Sequence, residues 1–245
     1  MNKDCLYADS GSKKSSPYYT HCGGVPLASK ISFYARRKIF DLFMAVVQPG
    51  PDTSVLDLGV TSDDTFPESN FFESFYPYPQ KITCAGTEDG SHLEARHPGL
   101  RFIPVRAGQR LPFRDGEFDA VFSSAVLEHA GGRNEQKFFV SEICRVGRKF
   151  FITTPNRWFP VETHTGIPLL HFLPGVCFRR LLKHTRYSFW SHEKNLNLLT
   201  LKELKGLFPS TVVPRLEKVR VFGIPSNLVA FGTVPDKRSM ENESC

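Results

Sequence analysis

The run Glu117-Phe118-Asp119-Ala120-Val121-Phe122-Ser123-Ser124-Ala125-Val126-Leu127-Glu128-His129 constrains this chain more than any other part of it. A short apolar stretch ends in small polar residues and then in an acid beside an imidazole. A strand buried on both faces of a parallel sheet reads this way where it delivers a functional loop at its carboxyl end. Upstream, Ser54-Val55-Leu56-Asp57-Leu58-Gly59 makes a second such strand, ending in an acid and a glycine.

The segments around these two alternate between helical and extended patterns. Ala35, Ile39, Leu42, Phe43, Val46 and Val47 recur at helical spacing, and Gln48-Pro49-Gly50-Pro51 stops that helix. Further strands are expected at 81–85, 101–105, 118–123 and 149–153, with helices at 67–76, 134–146 and 200–207. Thr200 and Glu203 have the spacing of a capping box. Val219 to Phe222 and Leu228 to Val234, joined by Gly223-Ile224-Pro225-Ser226, suggest an antiparallel pair at one sheet edge. Residues 1–30 read as a flexible lead, 31–234 as one domain and 235–245 as a disordered tail. Between 155 and 195 alternation is lost while aromatics, prolines and histidines crowd together, as in a substrate-side insertion.

Composition bounds the function classes. A chain of 245 residues with 40% hydrophobic and 23% charged residues is an ordinary globular one. No apolar run approaches the ~18 residues that cross a bilayer. Six scattered cysteines without a C-x-x-C pair fit a reducing cytoplasm, which is the expected location. The net charge of +6 is concentrated between Arg179 and Arg220, where ten Lys and Arg face three Glu. Within 176–187, Val176, Phe178, Leu181 and Leu182 interleave with Arg179, Arg180, Lys183 and Arg186. This is either a solvated helix face or a basic amphipathic element for peripheral contact with anionic membrane lipid. Nucleic acid is disfavoured, because no binding signature accompanies the charge. Oligomeric state is left open.

The order of the two strand-end segments resembles the class I S-adenosylmethionine-dependent methyltransferases, in particular the methyltransferase type 11-like group. The resemblance covers roughly residues 31–234, and Leu111-Pro112-Phe113 and Thr154-Pro155-Asn156-Arg157-Trp158-Phe159-Pro160 extend it. It implies an α/β, Rossmann-like doubly wound sheet, mostly parallel with an antiparallel edge strand. It also implies S-adenosyl-L-methionine as cofactor, with Asp57, Gly59, Thr61, Ser124 and Glu128 on the cofactor side. Three places depart from the family pattern. The loop after Gly59 carries Thr61 and Asp63 where glycines are usual. Gly86 stands where an acid usually holds the ribose, leaving that contact to Glu88 or Asp89. Ala107 stands where an aspartate usually meets the adenine, leaving Gln109 as the substitute acceptor.

For the reaction, the resemblance implies methyl transfer to a small-molecule, lipid or sugar acceptor, most simply at oxygen. His129 is the candidate base; the alternative is a structural histidine that caps its turn. His164 joins it on the acceptor side, beside Asn156, Arg157 and Trp158. Some relatives hold a metal with an E-x-x-E-H cluster and a later histidine. Here Ala125 occupies the first acid's place, and no metal is expected. The altered glycine loop keeps open a second reading, a methyltransferase-like protein that has lost turnover and serves in binding or as a scaffold.

Overall fold

The structure, a computed structural model, describes residues 26–63 and 69–235, with 26–30 described as backbone alone. In chain order the elements are α1 (Pro26–Val47), β1 (Val55–Leu58), α2 (Phe71–Phe75), β2 (Ile82–Gly86), α3 (His92–Arg96), β3 (Arg101–Pro104) and β4 (Phe118–Ser124). They continue with α4 (Arg133–Val146), β5 (Gly147–Pro155), α5 (Gly175–Leu182), α6 (Leu201–Lys205), β6 (Arg215–Val221) and β7 (Ile224–Thr233). One seven-stranded sheet runs β3-β2-β1-β4-β5-β7-β6. Its first five strands are parallel, and β7 lies antiparallel to both β5 and β6. This is the doubly wound sheet with an antiparallel edge that the sequence implies.

The central strands β1, β2, β4 and β5 form where largely apolar runs meet turns, and they are covered on both faces, whereas the edge strands β3 and β6 are partly exposed. On one face α1, α2 and α3 bring Ile39, Phe40, Phe43, Phe71, Phe72 and Leu93 against β1, β2 and β4. Phe122 sits centrally there, stacked 4.3 Å from Phe72 and 5.7 Å from Phe151, with the Phe43 edge at 5.4 Å. Offset and edge contacts of this kind add stability beyond area burial. On the other face α4 and α6 bury Val140, Ile143, Val146 and Leu204 against β4, β5 and β7. The predicted capping box is present: Thr200 accepts from the Glu203 amide while the Glu203 carboxylate accepts from the Thr200 amide.

Several elements differ from the sequence reading. The helix expected over 67–76 is the short α2: Asn70 is left-handed at φ +49° and Tyr76 is extended, so the helix starts at Phe71 and ends at Phe75, while 64–68 lie outside the described residues. The helix α3 is not expected from the sequence, and β7 begins at Ile224, so the edge hairpin turns at Phe222-Gly223 rather than over 223–226. Residues 155–195 contain α5, whose Phe178 and Leu182 join Trp190 and, from just beyond the segment, Leu196 and Leu198 in a third core. Its anchors come from three separate stretches, so no single stretch carries a period. The lead expected over 1–30 also lies outside the described residues, apart from 26–30, which open α1; so does the tail beyond 235.

The order β2-β1-β4 reverses direction at β1, so the crevice beyond the carboxyl ends of β1 and β4 is the topological switch point. Gly59 opens that crevice at φ +111°, and a Cβ there would lie 2.1 Å from Val126 Cγ2. The glycine is required by the close approach of the β4 loop as well as by its backbone angle. Gly59→Ala therefore lowers unfolding stability by about 3 kcal/mol, read as a lower urea midpoint at unchanged slope.

Candidate active site

At the switch point a cavity of ≈ 80 Å³ is lined by Arg36, Asp57, Gly59, Thr61, Asn70, Ser124 and neighbouring apolar groups. Asp57 projects from β1 and is 7% exposed. Burial pushes its carboxyl well above the ordinary range, and the adjacent Glu73 carboxyl pushes it further. Glu73 itself is buried on α2 and accepts from Cys84 Sγ at 3.0 Å. Two acids in one dry place disfavour a second negative charge until a cation arrives. Arg36 reaches the cavity from α1, with its guanidinium 5.5 Å from the Phe71 ring centre. One wall is thus acidic and another cationic.

The loop after β1 closes on itself. Thr61 Oγ1, the Ser62 amide and Ser62 Oγ all donate to Glu88 Oε2, at 2.9, 3.1 and 2.9 Å. The Asn70 side chain pairs with both the amide and the carbonyl of Thr61. Gly86 leaves room for this loop, because a Cβ there would lie 2.5 Å from the Val60 carbonyl oxygen. Of the residues the sequence singles out for cofactor, Asp57, Gly59, Thr61 and Ser124 line the cavity. Glu88 clasps the loop. Asp89 is exposed and accepts from the Ser91 amide, and Gln109 is exposed in a turn. Neither lines this cavity.

Beyond β4 lies a second constellation. Glu128 is fully buried, with Oε2 accepting from Thr154 Oγ1 at 2.9 Å. Its loop is held by Gln136, whose Nε2 donates to the Leu127 carbonyl, and by the Asn197 amide, which donates to the Glu128 carbonyl. His129 Nδ1 lies 2.6 Å from the Asn195 carbonyl, and His164 Nδ1 lies 2.6 Å from Glu162 Oε1. The two Nε2 atoms face each other at 3.0 Å. A carbonyl and a carboxylate only accept, so both Nδ1 atoms carry hydrogen. In neutral rings both Nε2 atoms would then present lone pairs to each other. One positive charge between them relieves this contact.

The electrostatics assign that charge. Burial and the facing His164 hold His129 down at about 3. Burial works against charge on His164 too, but the Glu162 carboxylate outweighs it, and His164 is raised above the ordinary imidazole value. Burial would lift Glu162; His164 and the amides of His164 and Thr165 instead hold it at about 2. When the pair holds a proton, His164 therefore carries it and donates to a neutral His129, with Glu162 behind it. Trp190 roofs the pair, its ring 4.7 Å from His164 and 5.7 Å from His129. Glu128 Oε1, 3.9 Å from His129 Nε2, has no hydrogen-bond partner; burial raises this carboxyl, offset only in part by His164 and Thr154.

The methyltransferase-domain family profile matches residues 84–150. The solved magnesium protoporphyrin IX methyltransferase of Synechocystis aligns at TM-score 0.55 and 12% identity, covering 87% of this chain and 90% of that one. A protein of Pyrococcus horikoshii aligns at 0.54 and 16%, covering 92% and 100%. The 1,6-didemethyltoxoflavin-N1-methyltransferase of Burkholderia thailandensis aligns at 0.51 and 12%, covering 82% and 79%. No curated protein sequence matches the chain. This chain has the class I methyltransferase fold.

In this methyltransferase fold the Leu111-Pro112-Phe113 block is held by α4. Glu142 accepts from the Leu111 amide, while Arg145 donates to the Leu111 and Phe113 carbonyls. Arg36, Glu73 and Glu162 escape sequence reasoning, since each reaches its site from an element with no chemical signature of its own. Glu162 has the one faint signal, an acid two residues before His164. The donor atoms of Glu128, His129 and His164 lie within 4.8 Å of one another. Each histidine's other nitrogen is fixed by an acceptor, as metal-binding histidines commonly are. These three residues could hold a divalent ion, which would act as a Lewis acid. Ala125, with no donor, remains where relatives supply a further acid.

Proposed function

We propose that the chain transfers a methyl group from S-adenosyl-L-methionine to a hydroxyl of a small-molecule, lipid or sugar acceptor. The observation that carries this reading is the buried Asp57 carboxyl facing the switch-point cavity, with Arg36 on another wall. The methionyl end of the cofactor has the complementary chemistry, an ammonium for Asp57 and a carboxylate for Arg36. A cavity of ≈ 80 Å³ is small against the roughly 300–1,000 Å³ of a whole-ligand pocket. It would accommodate this end alone. Glycine at 59 lets the β4 loop close down beside it.

The cofactor supplies an electrophilic methyl on sulfonium. The protein's part is to align the acceptor, exclude water and take a proton. With its proton withdrawn, the His129–His164 pair presents two lone pairs at 3.0 Å. That pair would take the proton of an acceptor hydroxyl and hold it between the two Nε2 atoms. Asn195 and Glu162 keep both rings in the required tautomer, and Glu162 makes the pair a stronger base than a lone imidazole. The structurally similar N1-methyltransferase was solved with 1,6-didemethyltoxoflavin and S-adenosylhomocysteine bound, which is consistent with a small-molecule acceptor.

One observation favours a second reading, binding without turnover: Glu88 is engaged by Thr61 and Ser62 rather than turned to the crevice. Incubation with methyl-labelled S-adenosylmethionine and a panel of hydroxylated lipids and sugars separates the two. Label appearing in an acceptor, with release of S-adenosylhomocysteine, supports transfer. Retained, displaceable label with no product across the panel supports binding alone.

A further inference from the structure

Six of the twelve exposed large hydrophobic side chains among the described residues lie between Trp158 and Leu181. Ring and backbone contacts tie the stretches that carry them together. Trp158 packs edge-on against Phe172 at 5.3 Å, and the Leu169 amide donates to the Pro160 carbonyl. Arg157 donates to the Leu173 carbonyl, just before α5. On α5, Phe178 and Leu182 point inward to the third core, and Val176 (77% exposed) and Leu181 (53%) point outward. Arg180 and Lys183 share that outer face. From Thr163 to His192 the sequence contains no Asp or Glu.

Monomeric soluble surfaces rarely expose a contiguous apolar patch of this kind without using it. Apolar side chains interleaved with Arg180 and Lys183, with Glu193 paired to Arg179 at 3.6 Å, match an anionic bilayer: the hydrophobic groups enter the interface and the cations meet headgroup phosphates. A tryptophan at the rim suits that boundary. Beneath α5, Trp190 joins the inner side of the patch to both histidines. We propose that the face formed by Trp158, Leu169, Val176, Leu181, Arg180 and Lys183 docks on anionic phospholipid membrane. The docking needs no catalysis; its corollary, that the acceptor is drawn from the bilayer to the His129–His164 pair, rests on the methyltransferase reading above.

Flotation with vesicles of phosphatidylcholine, with and without phosphatidylglycerol, tests the docking in the absence of cofactor. The full chain is expected to float with the mixed vesicles and to stay behind with phosphatidylcholine alone. Each cation near such a surface contributes a factor of roughly five, so Arg180→Gln with Lys183→Gln loses roughly 30-fold in partitioning. Val176→Asp with Leu181→Asp loses binding at low and moderate salt alike. Both pairs are exposed, and an unchanged circular dichroism melt verifies their folding. Of the two tryptophans, Trp158 is half exposed and Trp190 fully buried. Mixed vesicles should therefore blue-shift the emission, and Trp158→Phe should remove the shift. No flotation, flotation indifferent to both double variants, or a concentration-dependent dimer dispersed by Val176→Asp would overturn the proposal. Loss of methyl transfer with flotation intact would count against the enzyme reading alone.

Discussion

Replacing Glu162 by Gln moves the acidic limb of the pH–rate profile to lower pH and lowers the plateau. Wild-type His164 holds its proton above the ordinary imidazole pKa because Glu162 stands 2.6 Å from its Nδ1. The pair becomes a base only when that proton leaves, so the wild-type rate rises with pH above about 6.5, the ordinary histidine value. Glutamine removes the charge that holds the proton. Deprotonation then occurs at lower pH, and the resulting base is weaker. Removing either imidazole costs more: a positioned base contributes ~10²–10⁴-fold, and His129→Ala or His164→Ala should lose on that scale in kcat, with little change in cofactor affinity. A purely structural Glu162 would change the rate without moving the limb.

The same cluster sets an acid limit on stability. Glu162 is held at about 2 against 4.5 for the free side chain. A lowered folded-state pKa adds stability above pH 4.5 that is lost as pH falls toward 2, on the order of 3 kcal/mol. His129, lowered to about 3, acts in the same direction between pH 6.5 and 3. His164 runs oppositely: its raised value adds stability below pH 6.5 that fades as pH climbs through the folded pKa. Urea midpoints should fall steeply below pH 4.5 in the wild type and less steeply in Glu162→Gln.

Asp57→Asn and Arg36→Ala each weaken S-adenosylhomocysteine binding by roughly 10- to 100-fold, the scale of one charge-assisted hydrogen bond. Neither change alters the affinity for 5′-methylthioadenosine, which lacks the amino-acid end. The contrast separates loss of specific contacts from general damage to the site. Asp57 also makes binding depend on pH in a stated direction. Burial and Glu73 raise its pKa, so the unliganded fold is stabilised below the ordinary carboxylate pKa and loses that stability as pH rises through the folded value. The ligand's ammonium favours the ionised acid. Cofactor affinity and the thermal upshift it produces should therefore grow with pH across the titration of Asp57, and the growth should vanish in Asp57→Asn.

The parallel core of the fold is legible because its central strands read as short apolar runs, each broken by one acid: Asp57 in Val55–Leu58 and Asp119 in Phe118–Phe122. Asp57 stands out as an acid inside a fully buried strand, and Glu128 as an acid four residues beyond the end of β4. Arg36 and Glu73 sit among helical aromatics, and only packing of α1 and α2 over β1 turns them toward Asp57. Glu162 and His164 lie in a stretch without period, whose shape depends on Trp190, Leu196 and Leu198 folding back from later in the chain. Glu88 illustrates the opposite failure: its position after β2 suggests a ligand contact, yet the polar loop that replaced glycines supplies it with three donors.

The central claim is that the crevice beyond β1 and β4 takes the methionyl end of S-adenosylmethionine between Asp57 and Arg36. Calorimetric titration of the full chain with S-adenosylhomocysteine at neutral pH tests it most directly. Saturable one-to-one heat, much reduced in Asp57→Asn and retained in His129→Ala, is the predicted result. Absence of heat at high ligand concentration, or equal affinity for S-adenosylhomocysteine and 5′-methylthioadenosine, would contradict it.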